Sequence, residues 1–141
     1  MRPWGVDLGI VQEAKKAIKK SVSTEILKLA KGDADLITKD IVIQAAKKND
    51  KLAVELIANA GKNLGVRIAY MVNLFNPAVV IIGGGVEKAG DLLLDPIKET
   101  VKKFTFEEPS NIVKITPSLL GEDAVLLGAA ALAAREVFIQ I

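Results

Sequence analysis

The sequence predicts an α/β fold that is rich in helix and carries a short parallel sheet. Three observations predict it. Helical periodicity fills most of the chain before residue 76, two short β-branched runs follow at residues 78–82 and 112–116, and a helical segment separates those runs. A strand–helix–strand order calls for a crossover connection, which joins parallel strands and is almost always right-handed. At 141 residues the chain has the length of one domain with a real core.

The elements follow in order. A first helix is expected over residues 10–31, where Ile10, Ala14, Ala17, Ile18, Val22, Ile26 and Leu29 recur at three- and four-residue spacing and Gly32 offers a C-terminal stop. Its other face carries Lys15, Lys16, Lys19 and Lys20. No arginine or aromatic residue is interleaved with them, so they read as a solvated face and argue against direct DNA contact. Thr38 is placed to cap a short helix over residues 39–48, with Ile41, Val42 and Ala45 inward. Asp50 then opens a long helix to about Phe75, apolar on most of its circumference and therefore expected to be largely buried. Gly61 and Gly65 lie inside it, and each costs about 1 kcal/mol relative to Ala in a helix interior. With Ala69 they form a small-residue stripe, whose physical use is the close approach of another helix or strand. Such stripes also occur in membranes, but Lys62 and Arg67 point to a contact in water.

Asn76-Pro77 ends the long helix, because proline disfavours helical geometry in the residue before it. The run at residues 78–82 has the pattern of a strand buried on both faces of a parallel sheet. Residues 90–104 read as helix, with Pro96 either in a first turn after Asp95 or at a kink. A second strand is expected over residues 112–116. Glu122-Asp123 opens a last helix over residues 124–138, and Asp123 reads as its N-cap. Two strands make a marginal sheet. Residues 4–8 offer a third; otherwise the partner strands belong to a larger domain or to another copy.

Composition narrows the chemistry. Half the residues are hydrophobic, 26% are charged and the net charge is +2, which is globular and selects no nucleic-acid partner. The chain contains no cysteine and no histidine, so disulfides, Cys/His zinc sites, thiol nucleophiles and imidazole acid–base catalysis within it are excluded. The absence of cysteine suits a reducing compartment. Residues 1–10 lack a signal-peptide pattern, and the apolar stretch at residues 124–134 is too short to span a bilayer. A cytoplasmic protein without membrane association is expected.

The strongest local signal is Gly83, Gly84 and Gly85, directly after the first strand. A phosphate-binding loop uses glycine so that backbone N–H groups can approach oxygen atoms. The P-loop pattern fails here: Gly85 and Gly90 have its spacing, but Asp91 and Leu92 stand where lysine and Ser or Thr are needed. The dinucleotide pattern fails too, since Lys88 or Glu87 occupies a position that must be glycine. What remains is a corner of low steric bulk at the carboxyl end of a parallel strand, where ligands bind in open α/β sheets. It is either a ligand contact or a purely structural turn.

The stretches LGVRIAYMVNLFNPAVVIIGGGVEKAGDLLLDPIKE and ITPSLLGEDAVLLGAAALA resemble the C-terminal half of the ROK family, which contains bacterial sugar kinases and sugar-responsive transcriptional repressors. The resemblance covers roughly residues 50–134, and the Asn-Leu-Phe-Asn-Pro, triple-glycine and Gly-Glu-Asp-Ala elements occur in the family's order and spacing. It implies a partial actin/hexokinase-like (ribonuclease H-like) lobe, in which Gly83, Gly84 and Gly85 approach the adenosine and phosphate side of ATP once the cleft is complete. It also implies features that this chain lacks: an N-terminal Asp-x-Gly-Gly-Thr phosphate loop, an Asn-Asp pair with the catalytic base, a cysteine–histidine zinc motif, and the helix-turn-helix of the repressors. Gly5, Asp7 and Gly9 resemble the start of the phosphate loop, but Ile10-Val11 replaces its Gly-Thr. Residues 1–9 accordingly read as a truncation junction or flexible N-terminus, and residues 10–141 as the C-terminal lobe.

Three functions are consistent with these residues. The first is the C-terminal lobe of a ROK kinase or repressor, one wall of a nucleotide and sugar cleft that is catalytically incomplete alone, binds no zinc, and is partnered by the missing N-terminal lobe or by a second copy. The second is an assembly module without ligand. The third is a small nucleotide-binding protein without catalysis.

Overall fold

The computed structural model describes residues 9–19, 24–107 and 112–138. In chain order these form α1 (Ile10–Ile18), α2 (Glu25–Leu29), α3 (Lys39–Lys47), α4 (Lys51–Phe75), β1 (Val79–Ile82), α5 (Asp91–Phe104), β2 (Lys114–Pro117) and α6 (Ala124–Phe138). Short 3₁₀ turns at Ala34–Leu36, Val86–Ala89 and Gly121–Asp123 connect them. The expected third strand at residues 4–8 and the expected junction at residues 1–9 fall, Gly9 apart, outside the described residues.

The helix expected over residues 10–31 is two helices. Thr24 is extended, with φ −149°, and its hydroxyl accepts from Ile26 N at 3.2 Å to start α2. The spacing of apolar residues runs through the break unchanged, so periodicity alone does not reveal it. Gly32 does end the segment: it adopts φ 82°, and its N–H closes the turn on the Leu27 carbonyl at 2.9 Å. The α1 lysines are paired with acids: Lys16 is exposed and paired with Glu13 on the same helix, and Lys15 is half-buried and paired with Asp35 in the Ala34–Leu36 turn.

One carboxylate starts two helices. Asp50 Oδ1 accepts from Ala53 N at 2.9 Å and caps α4. Its Oδ2 accepts from Glu25 N at 2.8 Å and from the Thr24 hydroxyl at 2.9 Å, at the start of α2. Burial works against the charge, but the hydrogen bonds from Ala53, Glu25, Thr24 and Leu52 outweigh it and hold this carboxyl below its ordinary range. α3 is capped as expected by Thr38, whose hydroxyl accepts from Ile41 N. Its inward face is wider than expected, with Val42, Ile43, Ala45 and Ala46 buried and Ile41 only partly so.

The glycine stripe of α4 meets α5. A Cβ at Gly61 would lie 2.8 Å from the Leu93 carbonyl oxygen, and one at Gly65 would lie 2.7 Å from Thr100 Cβ and 3.0 Å from the Ile97 oxygen. Ala69 on the same stripe is fully buried. At the far end, Asn73 Nδ2 donates to the Phe104 carbonyl and Asn73 Oδ1 accepts from Phe106 N, each at 3.0 Å. Pro96 lies inside α5, not in a first turn, and its Cβ is 3.1 Å from the Gly61 Cβ position. The core continues from this contact through Ile57, Leu93, Ile97 and Val101 to Ile26 and Val42.

β1 and β2 pair in parallel, Val79 with Lys114 through Ile82 with Pro117. The second strand therefore starts two residues later than expected. The expected burial of β1 on both faces is also corrected. Ile82 is buried, but Val79 and Ile81 are 49% and 65% exposed, because the described helices cover one face only. The last turns of α4 are bare as well, at Tyr70, Leu74 and Phe75. α6 packs mainly on the 3₁₀ turn before it, of which Asp123 is the last residue, and leaves Val125 83% and Leu126 70% exposed. Among the described residues no helix is long and apolar enough to cross a membrane.

Two predictions follow from these contacts. Gly65→Ala has to push Thr100 or the α5 backbone aside; the expected net loss is about 1–2 kcal/mol, since overpacking outweighs the helix-propensity gain. Denaturant unfolding of the variant beside an exposed control on the same helix, Lys62→Ala, checks it. Asp50→Ala removes two helix caps at once and is expected to cost about 2–3 kcal/mol. A carboxyl with a depressed folded-state pKa contributes its full stability above the unfolded value of about 3.9 and loses it as pH falls through the folded value. Wild-type stability should therefore drop below about pH 4, and the drop should be shallower in Asp50→Ala.

Candidate functional site

The carboxyl ends of β1 and β2 lie side by side, and both strands turn there. Ser118 N donates to the Ile82 carbonyl at 2.7 Å, which extends the ladder one residue past β2. Ser118 Cβ is then 3.3 Å from the position that a Cβ on Gly83 would occupy. The bulk of any other residue at position 83 would press on β2. Gly84 and Gly85 adopt φ 85° and 86°, the left-handed region that side chains disfavour. This double left-handed step turns the chain out of the sheet and into the Val86–Ala89 turn, where Val86 and Ala89 are buried. Gly90, at φ 60° and ψ −138°, turns it again into α5. All four glycines thus have a local mechanical reason; Gly84 is exposed, Gly83 and Gly90 are half-buried, and Gly85 is buried.

Two side chains complete the corner. Lys39, the first residue of α3, donates from Nζ to the Gly84 carbonyl at 2.7 Å across 45 positions of sequence. Glu87 turns its carboxylate inward, and both oxygens are shielded from solvent without a hydrogen-bond partner among the described residues. Neither Lys39 nor Ser118 is signalled by sequence spacing as part of a site. Only the register of β2 and the packing of α3 bring them to the glycines.

Gly83, Gly84 and Gly85 sit at the strand ends, whereas Asp123 lies in the turn before α6 with its N–H on the Leu120 carbonyl. A groove of about 370 Å³ between α1 and α4, lined by Glu13, Asn59 and Asn63, involves none of the corner residues. Among the described residues no group of three or more acidic side chains could hold a metal ion. The corner can therefore accommodate backbone-directed binding beside a cation, and it presents no cysteine or histidine.

The sequence profile of the ROK family matches residues 12–136. This chain belongs to the ROK family. It is 32% identical over 118 residues to a xylose repressor of Caldicellulosiruptor bescii, covering 84% of this chain and 29% of the repressor. It is 31% identical over 118 residues to a glucokinase of Thermotoga maritima, covering 84% of this chain and 37% of the glucokinase. The crystal structure of a ROK family glucokinase from Streptomyces griseus, in complex with glucose and AMPPNP, superposes with a TM-score of 0.78 at 29% identity over 92% of this chain and 42% of that one. A ROK transcriptional regulator homologous to the Escherichia coli Mlc protein superposes with a TM-score of 0.65 at 25% identity, over 76% of this chain and 26% of that one. The ROK chain described here thus spans about a third of the length of the curated relatives it matches. Its helix-rich architecture with a two-stranded parallel sheet is a partial form of the actin/hexokinase-like fold, and both kinases and repressors share it.

The geometry of the corner predicts how its glycines respond to substitution. Gly85→Ala forces a Cβ into the left-handed region and is expected to cost about 1–2 kcal/mol. Gly83→Ala, whose only near neighbour is Ser118, is expected to cost less and to be partly rescued by Ser118→Gly. Thermal unfolding of the three variants tests the ranking.

Proposed function

We propose that this chain is the C-terminal lobe of a ROK protein and forms one wall of a nucleotide cleft. Gly83, Gly84 and Gly85 are its contact with a nucleotide of the ATP class. The observation that carries the reading is the position of this corner, a side-chain-free turn at the carboxyl ends of two parallel strands, where open α/β sheets bind ligands. The likeness to a glucokinase solved with glucose and AMPPNP supports the same ligand class.

Phosphoryl transfer requires positioned phosphates, a metal ion and a base for the acceptor hydroxyl. The corner supplies part of the first requirement. The remaining groups belong to a second lobe, which in this reading closes over the glycines. The bare apolar surfaces of β1 and α6 are where that lobe, or a second copy of the chain, is seated. Exposed apolar patches of this kind mark interaction surfaces. The lobe acts without zinc and makes no direct contact with DNA, and its place of work is the cytoplasm.

Two measurements test this. Incubated with glucose, ATP and magnesium, the chain is expected to yield no sugar phosphate above background; turnover would refute the incomplete-lobe reading. Light scattering is expected to show association at micromolar concentration, and Leu126→Lys with Val125→Glu on α6 should reduce it. A well-folded monomer at all concentrations would show that these surfaces do not serve assembly between copies.

A further inference from the structure

Lys39 stands in an unusual position for a surface lysine. Its backbone is fixed by the Thr38 cap of α3, and its ammonium reaches across the fold to the Gly84 carbonyl at 2.7 Å. The contact is solvent-exposed, so water could satisfy that carbonyl equally well. Ordering a long side chain for one exposed hydrogen bond brings little return in stability. An ammonium carries three donors, and the carbonyl uses one. Two donors are thus left over beside the left-handed step of Gly84 and Gly85.

The charges of the corner sort by exposure. Glu87 keeps both carboxylate oxygens out of solvent, while Lys39 is only partly buried and its contact with Gly84 is exposed. Asp40 and Asp91 each lie at a helix start and Lys88 lies on the turn, and Lys39 is held against the Gly84 carbonyl. A compact cation beside glycine backbone is the chemistry that recognises phosphate oxygens, with the lysine acting as a point charge.

We propose that Lys39 is a phosphate-holding residue of this corner, and that it takes a non-bridging oxygen of a nucleoside di- or triphosphate with the donors left over from Gly84. The proposal rests on the nucleotide-wall reading above and extends it to a residue on a different element. A nucleoside without phosphate should not sense this lysine.

The test titrates the isotope-labelled full chain with ADP, with adenosine and with inorganic pyrophosphate, following the amide signals of Gly83, Gly84 and Gly85. ADP is expected to bind more tightly than adenosine, and the difference should shrink as salt is raised. Lys39→Met should weaken ADP five- to tenfold and leave adenosine within twofold, whereas Lys39→Arg should retain most of the ADP affinity. Amide signals of α4 monitor folding in each variant. An unchanged ADP-to-adenosine ratio in Lys39→Met overturns the proposal: the lysine then only tethers the corner, and the nucleotide wall stands. Pyrophosphate binding as tight as ADP, lost in Lys39→Met, keeps the phosphate contact but removes the nucleoside from it. If neither ADP nor adenosine moves the glycine signals of the wild type, the nucleotide-wall reading fails and this proposal fails with it.

Discussion

The contact between α4 and α5 governs the rest of the structure. At Gly61 and Gly65 a single added carbon would meet the α5 backbone or the Thr100 side chain at less than normal contact distance. Two helices that approach this closely have their separation and register set by backbone, not by adjustable side chains. β1 leaves the end of α4, and α5 begins where the glycine corner ends. The positions of Gly83, Gly84 and Gly85 are therefore fixed at both ends by one rigid pair. Asn73 closes that pair at its far end, through hydrogen bonds to Phe104 and Phe106. The propensity lost at each glycine, about 1 kcal/mol, is the cost of that fixed geometry.

Asp50 plays the corresponding part on the other side of the lobe. A carboxylate has two acceptor oxygens, and here each serves a different helix start. The asparagine that often replaces aspartate at an N-cap offers one oxygen only, so it could serve one of the two helices. The link joins α2, which is too short to be stable alone, to the longest helix of the fold.

Much of this architecture was legible in the sequence where the signal is local. The caps at Thr38 and Asp50, the stop at Gly32 and the small-residue stripe each depend on residues within one or two turns of each other, and the strand–helix–strand order is read from three such local patterns in succession. The break between α1 and α2 was not legible from periodicity, because Ile18, Val22 and Ile26 keep helical spacing across it. The bare face of β1 was not legible either: Val79 and Ile81 have the composition of buried strand residues and lack a cover among the described helices. For the site, the glycines announced themselves by composition, but Lys39 and Ser118 did not. Lys39 is 45 residues from the carbonyl it holds, and Ser118 reaches Gly83 only through the register of β2. The family resemblance implied a ligand class for the corner without pointing to either of these two residues.

The bare surface of α6 also divides the lobe into parts of unequal persistence. The central turns of α4 are clamped against α3 and α5, so opening them requires disruption of the core. α6 carries backbone hydrogen bonds of the same kind but little packing, and a helix of fifteen residues without tertiary support is marginal in water. It should open and close independently of the rest, and its amides should exchange with solvent long before those of α4. A partner that covers α6 would then do more than hide apolar surface. It would convert a helix that flickers into one that is as long-lived as the core, and the binding of that partner would carry the entropy cost of ordering it.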